Sequence, residues 1–126
     1  MKKIVKTNKA PEPVGPYNQA VIHNSTMYIS GQIALDPITK KLVTSDLKKE
    51  TMLVMNNLKS ILENENLSFD NVIKSTIFLS DMGSFKDVNE IYGSFFNIGN
   101  EPARETVEVS KLPLGVNVEI SMIAGL

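Results

Sequence analysis

The chain has 126 residues, 42% of them hydrophobic and 21% charged, which suits one globular domain able to bury a core unaided by metal or disulfide. It contains no cysteine, one histidine and a formal net charge of −1. Disulfides, thiolate nucleophiles and cysteine-based zinc sites are thereby excluded, and a surface for electrostatic capture of nucleic acid has little to be built from. The first residues, Met1-Lys2-Lys3-Ile4-Val5-Lys6, are too few and too charged for a signal peptide's apolar core. No later run reaches the about 18 apolar residues of a membrane span, so the cytoplasm is the expected location.

Pro11, Pro13, Gly15 and Pro16 crowd a segment that has to be a loop. Ala20–His23 and Met27–Ser30 are short apolar runs joined by Asn24-Ser25, the pattern of a hairpin. Asp36-Pro37-Ile38-Thr39-Lys40 predicts another turn. Leu47, Thr51, Val54, Met55, Leu58, Ile61 and Leu62 recur at helical spacing. Thr44, Ser45 or Asp46 can cap that helix, which should stop near Asn64–Asn66. Asp46, Lys48, Lys49, Glu50, Lys59, Glu63 and Glu65 are expected on its solvated face. Val72–Ser80 is β-branched and aromatic and reads as a strand. Ser84 followed by Asp87 has the form of a capping box opening a second helix. Phe85, Val88, Tyr92, Phe95 and Phe96 would be its apolar face, with Gly99 just past its end. Two strands close the chain. In Arg104–Val109, Arg104, Thr106 and Glu108 share one face, and Val107 and Val109 the other. In Val116–Ala124, Val118, Ile120, Met122 and Ala124 oppose Asn117, Glu119, Ser121 and Ile123. This order predicts an α+β fold, two helices packed on one face of a mixed sheet, as a single domain over residues 1–126.

Few residues carry candidate chemistry. Arg104 can grip a carboxylate with parallel hydrogen bonds, and Glu119 can orient or deprotonate a water. The same residues, with Thr106, equally suit a cross-strand salt bridge on a solvated sheet face. His23 has no companion ligands for a metal and reads as a surface residue beside a turn. Ser30-Gly31-Gln32 lacks the setting of a catalytic serine, and Gly31 suits a bend or a close backbone approach. Tyr17 is either a hydrophobic anchor or a pocket wall. Asn89 borders the aromatic face of the second helix.

A set of ordered segments resembles the RidA/YjgF family. They are Ala10-Pro11, Gly15-Pro16-Tyr17, Ile29-Ser30-Gly31-Gln32, Val88-Asn89-Glu90-Ile91-Tyr92, Pro102-Ala103-Arg104, Val107-Glu108-Val109, Lys111-Leu112-Pro113 and Val118-Glu119-Ile120. The resemblance implies a chorismate-mutase-like (ferredoxin-like) α+β fold, assembled as a homotrimer with sites between subunits. It implies a deaminase that hydrolyses 2-iminopropanoate, 2-iminobutanoate and their enamine tautomers to 2-keto acids and ammonia, without metal or organic cofactor. Carried over by position, Arg104 would hold the substrate carboxylate and Glu119 the attacking water. Tyr17, Ser30, Gly31 and Asn89 would shape the pocket, and Phe85 would give it an apolar wall. Thr106 stands where the family often has cysteine, which implies that a backbone group there, not a thiol, binds the imine. Glu105 stands where a small residue is usual, and strand alternation turns it away from Arg104. The resemblance also admits a single-strand-specific endoribonuclease, or a trimer that binds small carboxylic acids without turning them over.

Overall fold

The hairpin turn forms first in sequence and sets the sheet's register. Asn24 and Ser25 both take positive φ, 49° and 60°, the two-residue turn whose twist matches paired strands. It folds β2 (Ala20–His23) back on β3 (Thr26–Gln32), and β1 (Lys3–Val5) adds antiparallel to β2. Three residues are too few to show a period, so β1 carries no sequence signal. In this computed structural model, which describes residues 1–126, β4 (Val72–Leu79), β5 (Ala103–Glu108) and β6 (Val118–Gly125) complete one sheet. Its order is β1-β2-β3-β6-β4-β5, and only β4 and β5 run parallel.

Helix α1 (Leu47–Glu63) starts at Asp46, whose carboxylate accepts from the Lys49 amide at 3.1 Å. Of the predicted caps, Asp46 is the one used. Val54, Met55, Leu58, Ile61 and Leu62 are fully buried, each stabilising the fold by about 1.5–3 kcal/mol. Glu50 departs from expectation. It lies on the buried side of α1, not the solvated one, because it stands one helical turn from both Leu47 and Val54, at the edge of the apolar face.

Helix α2 (Phe85–Gly93) is shorter than the spacing predicts. Phe95 and Phe96 lie in the turn beyond it, edge-on to Phe69 with ring centroids 5.4 Å apart. Ser84 makes no capping bond. The chain enters α2 through a short 3-10 turn, Met82–Ser84, and Asp81 caps that turn by accepting from the Gly83 amide at 2.8 Å. An aspartate three residues upstream thus displaces the predicted capping box.

Both helices lie on one face of the sheet. That face carries Val5, Ala20, Met27, Ile29, Ser75, Ile77, Leu79, Val118, Ile120, Met122 and Ala124, all buried. The opposite face bears no helix. Across it run Ile4, Val21, Tyr28, Phe78, Val107 and Ile123, with Ile4, Tyr28 and Val107 more than two-fifths exposed.

Candidate active site

Register decides which functional side chains meet. Arg104 pairs with Ser75 and Thr106 with Ile77, so both point to the helix side of the sheet. Glu119 pairs with Phe78, which pairs with Val107, so Glu119 points to the open side. Strand β4 also lies between β5 and β6. The cross-strand salt bridge between Arg104 and Glu119 is therefore ruled out within one chain. The polar face expected for β5 is instead the face beneath α2.

On the helix side, α2 builds a seat for the guanidinium. Phe85, Asn89 and Tyr92 recur at helical spacing and face β5. Arg104 donates from Nη1 to Asn89 Oδ1 at 2.7 Å. Its Cζ lies 5.7 Å from the Phe85 ring centroid and 5.2 Å from that of Tyr92. Each cation–π contact is worth about 0.5–2 kcal/mol. The three ion pairs of the chain are Lys3–Glu65, Lys48–Glu90 and Lys74–Glu105, so Arg104 has no acidic partner. A guanidinium carries five N–H donors in a planar fork, and most of this one's stay free for an anion. Phe85 and Asn89, both expected to line the pocket, contact Arg104 itself. Three hydroxyls behind it, Ser75 Oγ, Tyr92 Oη and Thr106 Oγ1, are buried with no hydrogen-bond partner. Those of Ser75 and Tyr92 are neighbours that miss hydrogen-bond geometry. Burial pushes the Tyr92 phenol above its usual pKa, against the pull of Ser75 and the Arg104 charge. Spacing identified Tyr92 as core, but nothing in the sequence marks it or Ser75 as neighbours of Arg104.

On the open side, β3 bulges between Ile29 and Gln32, leaving Ser30 and Gly31 opposite Ser121. Gly31 leaves room for the Glu119 side chain. A Cβ there would lie 2.7 Å from Glu119 Oε2, so any larger residue would turn the carboxylate aside. The Glu119 carboxylate is half-buried, and burial alone raises its pKa above the usual 4.5. Ser30 Oγ donates to the Asn18 carbonyl at 2.6 Å, which ties the bulge to the proline-rich loop. Tyr17 stands at that loop's end, half exposed, its hydroxyl accepting from the Val14 amide at 3.3 Å. The cleft lined by Tyr17, Gly31 and Gln32 has room for only about 30 Å³. The largest cavity, about 550 Å³ between Pro11, Pro37 and Leu114, contains neither Arg104 nor Glu119. Glu105 lies on the open face away from Arg104, as expected, held by Lys74 at 3.1 Å and Thr76 at 2.7 Å. His23 is exposed beside its turn.

The fold thus defines a small α+β domain carrying two candidate features, an arginine fork and a glycine-backed carboxylate, on opposite faces of one sheet. Residues 7–126 match the family described as Endoribonuclease L-PSP. The chain belongs to that family, whose members include the RutC and Rid proteins. It is 44% identical to mouse 2-iminobutanoate/2-iminopropanoate deaminase, over 98% of this chain and 91% of that one. A solved structure from the conserved Rid family of Yersinia pestis superposes with a TM-score of 0.96 at 41% identity, covering all of both chains. Escherichia coli TdcF, solved with bound serine, superposes with a TM-score of 0.92 at 36% identity over 98% of each chain. No helix of this chain is long and apolar enough to cross a membrane.

Proposed function

We propose that the chain is a cytoplasmic, single-domain deaminase of reactive 2-imino acids, acting as a homotrimer with its sites between neighbouring copies. The observation that carries this reading is the divided pair. Arg104 offers free donors on one face of the sheet and Glu119 waits against Gly31 on the other, so the two cannot meet one substrate within one chain. A second copy that lays its open face near β5 of the first would bring the halves together. The name of the mouse relative and the serine bound to TdcF support a small amino-acid-like substrate.

Arg104 pairs with the substrate carboxylate, Asn89 and Phe85 hold and wall the fork, and the Thr106 backbone binds the imine. Tyr17, Ser30 and Gly31 line the opposite side. Glu119 takes a proton from water as the oxygen bonds to the imine carbon and the C=N electron pair moves to nitrogen. The carboxylic acid then returns that proton to nitrogen, the C–N bond breaks and ammonia leaves, while the regenerated Glu119 carboxylate takes the hydroxyl proton as that oxygen becomes the keto oxygen and passes it on to ammonia or solvent. A raised pKa suits a group that must accept and return one proton near neutrality. An iminium carbon is already electrophilic, so the reading calls for no metal or organic cofactor. Purified protein given freshly generated 2-aminoacrylate is expected to speed keto-acid release beyond spontaneous hydrolysis; an unchanged rate overturns the proposal.

The family's description favours a second reading, cleavage of single-stranded RNA. A net charge of −1 argues against it, since such binding rests on released counterions. RNA cleavage that survives physiological salt would put this reading first.

A further inference from the structure

Two buried polar side chains on α1 belong to neither half-site. Glu50 is fully buried and Asn57 is 1% exposed. Seven residues apart, they stand two turns from each other on the face of α1 that lies on the sheet. A buried carboxylate is unfavourable unless its oxygens are engaged. Glu50 Oε1 accepts from Asn117 Nδ2 at 2.7 Å, and Oε2 from the amides of Asn117 at 2.8 Å and Val118 at 3.2 Å. No cation pairs with it. Asn57 does the converse, donating from Nδ2 to the carbonyls of Ile33 at 3.1 Å and Leu35 at 3.0 Å.

The two sets of partners flank one place. Asn117 and Val118 lead into Glu119, and Ile33 follows Gly31-Gln32. The β6 end is held besides by the Ser80 amide, which donates to the Asn117 carbonyl at 3.1 Å, and by Asn117 Nδ2, 3.5 Å from the Thr44 carbonyl. The chain reaches it through Leu114 and Gly115, both left-handed at φ 56° and 70°. Val118 and Glu119 pair with β4 but not with β3, whose register against β6 stops at Gln32 and Ile120. No side chain or amide donates to the Glu119 carboxyl, so strand β6 sets where its side chain begins, and the carboxylate lies against Gly31.

We propose that Glu50 and Asn57 are positioning residues for the Glu119–Gly31 half-site. Helix α1 grips both strand ends from behind, one through their donors and the other through their acceptors, and so keeps the carboxylate against the glycine. The inference rests on the role given to Glu119 above. Arg104 stands on other elements, β5 and α2, and is not served by these contacts.

Glu50→Leu in the full chain removes the acceptors at similar volume. Its kcat with 2-aminoacrylate is expected to fall about tenfold, its KM to change by less than about twofold, and a Glu119→Gln background to show no further loss. Glu50→Gln should restore kcat. The Asn117 amide can turn over to accept from the new NH2, while the remaining oxygen keeps the backbone donors. A readout independent of turnover is the carbon-13 titration of the Glu119 carboxyl. In Glu50→Leu it should move down toward an ordinary glutamate, and in Glu50→Gln it should stay raised. A folded Glu50→Leu with wild-type kcat and an unmoved Glu119 titration overturns the proposal, as does a full multiplicative loss on the Glu119→Gln background. Normal turnover by Glu119→Gln alone would sink the role of Glu119, and the titration would still decide whether Glu50 positions it. If Glu50→Leu does not fold, Asn117→Ala replaces it under the same readouts, with about threefold loss of kcat expected.

Discussion

Under the proposed function Arg104 and Glu119 divide the chemistry, and their substitutions should fail in different ways. Arg104→Ala removes the partner of a charged substrate group. Losing such a pair costs about 2–5 kcal/mol, so kcat/KM should drop at least tenfold and up to over a thousandfold. Glu119→Gln keeps shape but not the base, and should lower kcat by roughly a hundredfold while a substrate-like keto acid still binds. Steady-state kinetics beside keto-acid titration separates the two; near-normal hydrolysis by either folded variant rejects its role. The raised Glu119 pKa also sets the sign of two pH effects. The ionised form is the one the fold disfavours. The stability it contributes is complete below the ordinary glutamate value and is lost as pH rises through the raised one. Glu119→Gln should therefore melt no lower than wild type at neutral pH. Activity runs the opposite way, since the base must be ionised. The acid limb of kcat/KM should lie above 4.5, and a limb at or below that value would contradict the burial of this group.

At the scale of elements, α2 and β5 act as one unit, because Phe85, Asn89 and Tyr92 of the helix all reach Arg104 of the strand. Asp81 starts the turn that leads into this helix, so Asp81→Ala should destabilise the protein by about 0.5–2 kcal/mol in a denaturant titration. Ser84→Ala, at the predicted cap that makes no bond, should change little. An equal loss in both variants would restore the capping box. Periodicity made α1 legible because Leu47, Val54, Leu58 and Ile61 repeat over 17 residues. It overran α2, because Phe95 and Phe96 keep the apolar pattern while the backbone has already turned. Alternation along β5 and β6 was visible too, and it sorted Arg104 from Val107 and Glu119 from Ile120 correctly. It could not say which face of β5 met which face of β6. That depends on β4 lying between them in mixed orientation, a long-range fact with no local signal. Glu50 was misjudged by its charge although its phase along α1 already pointed inward. The hydrogen bonds that make its burial tolerable come from residues 117 and 118, 67 and 68 positions away.

At the scale of the molecule, one face of the sheet has no cover of its own. Tyr28 and Val107 stay exposed at 46% and 41% beside Ile4 at 54%, a spread of apolar surface that a solitary soluble chain rarely presents. Light scattering is expected to report a trimer, and a stable monomer at micromolar concentration would defeat the shared site. Tyr28→Asp on that face should dissociate the trimer while leaving each copy folded. The division of Arg104 and Glu119 between two sides of a sheet also has a genetic consequence. If every working site borrows its arginine from one subunit and its carboxylate from the next, two inactivating alleles need not be equivalent. A cell that expresses Arg104→Ala and Glu119→Gln together would assemble mixed rings, and some junctions would join the intact half of each. Random assortment from equal amounts restores about a quarter of the junctions, whereas either allele alone restores none. Complementation between two dead copies of one gene would thus be the inherited signature of a site that no single polypeptide owns.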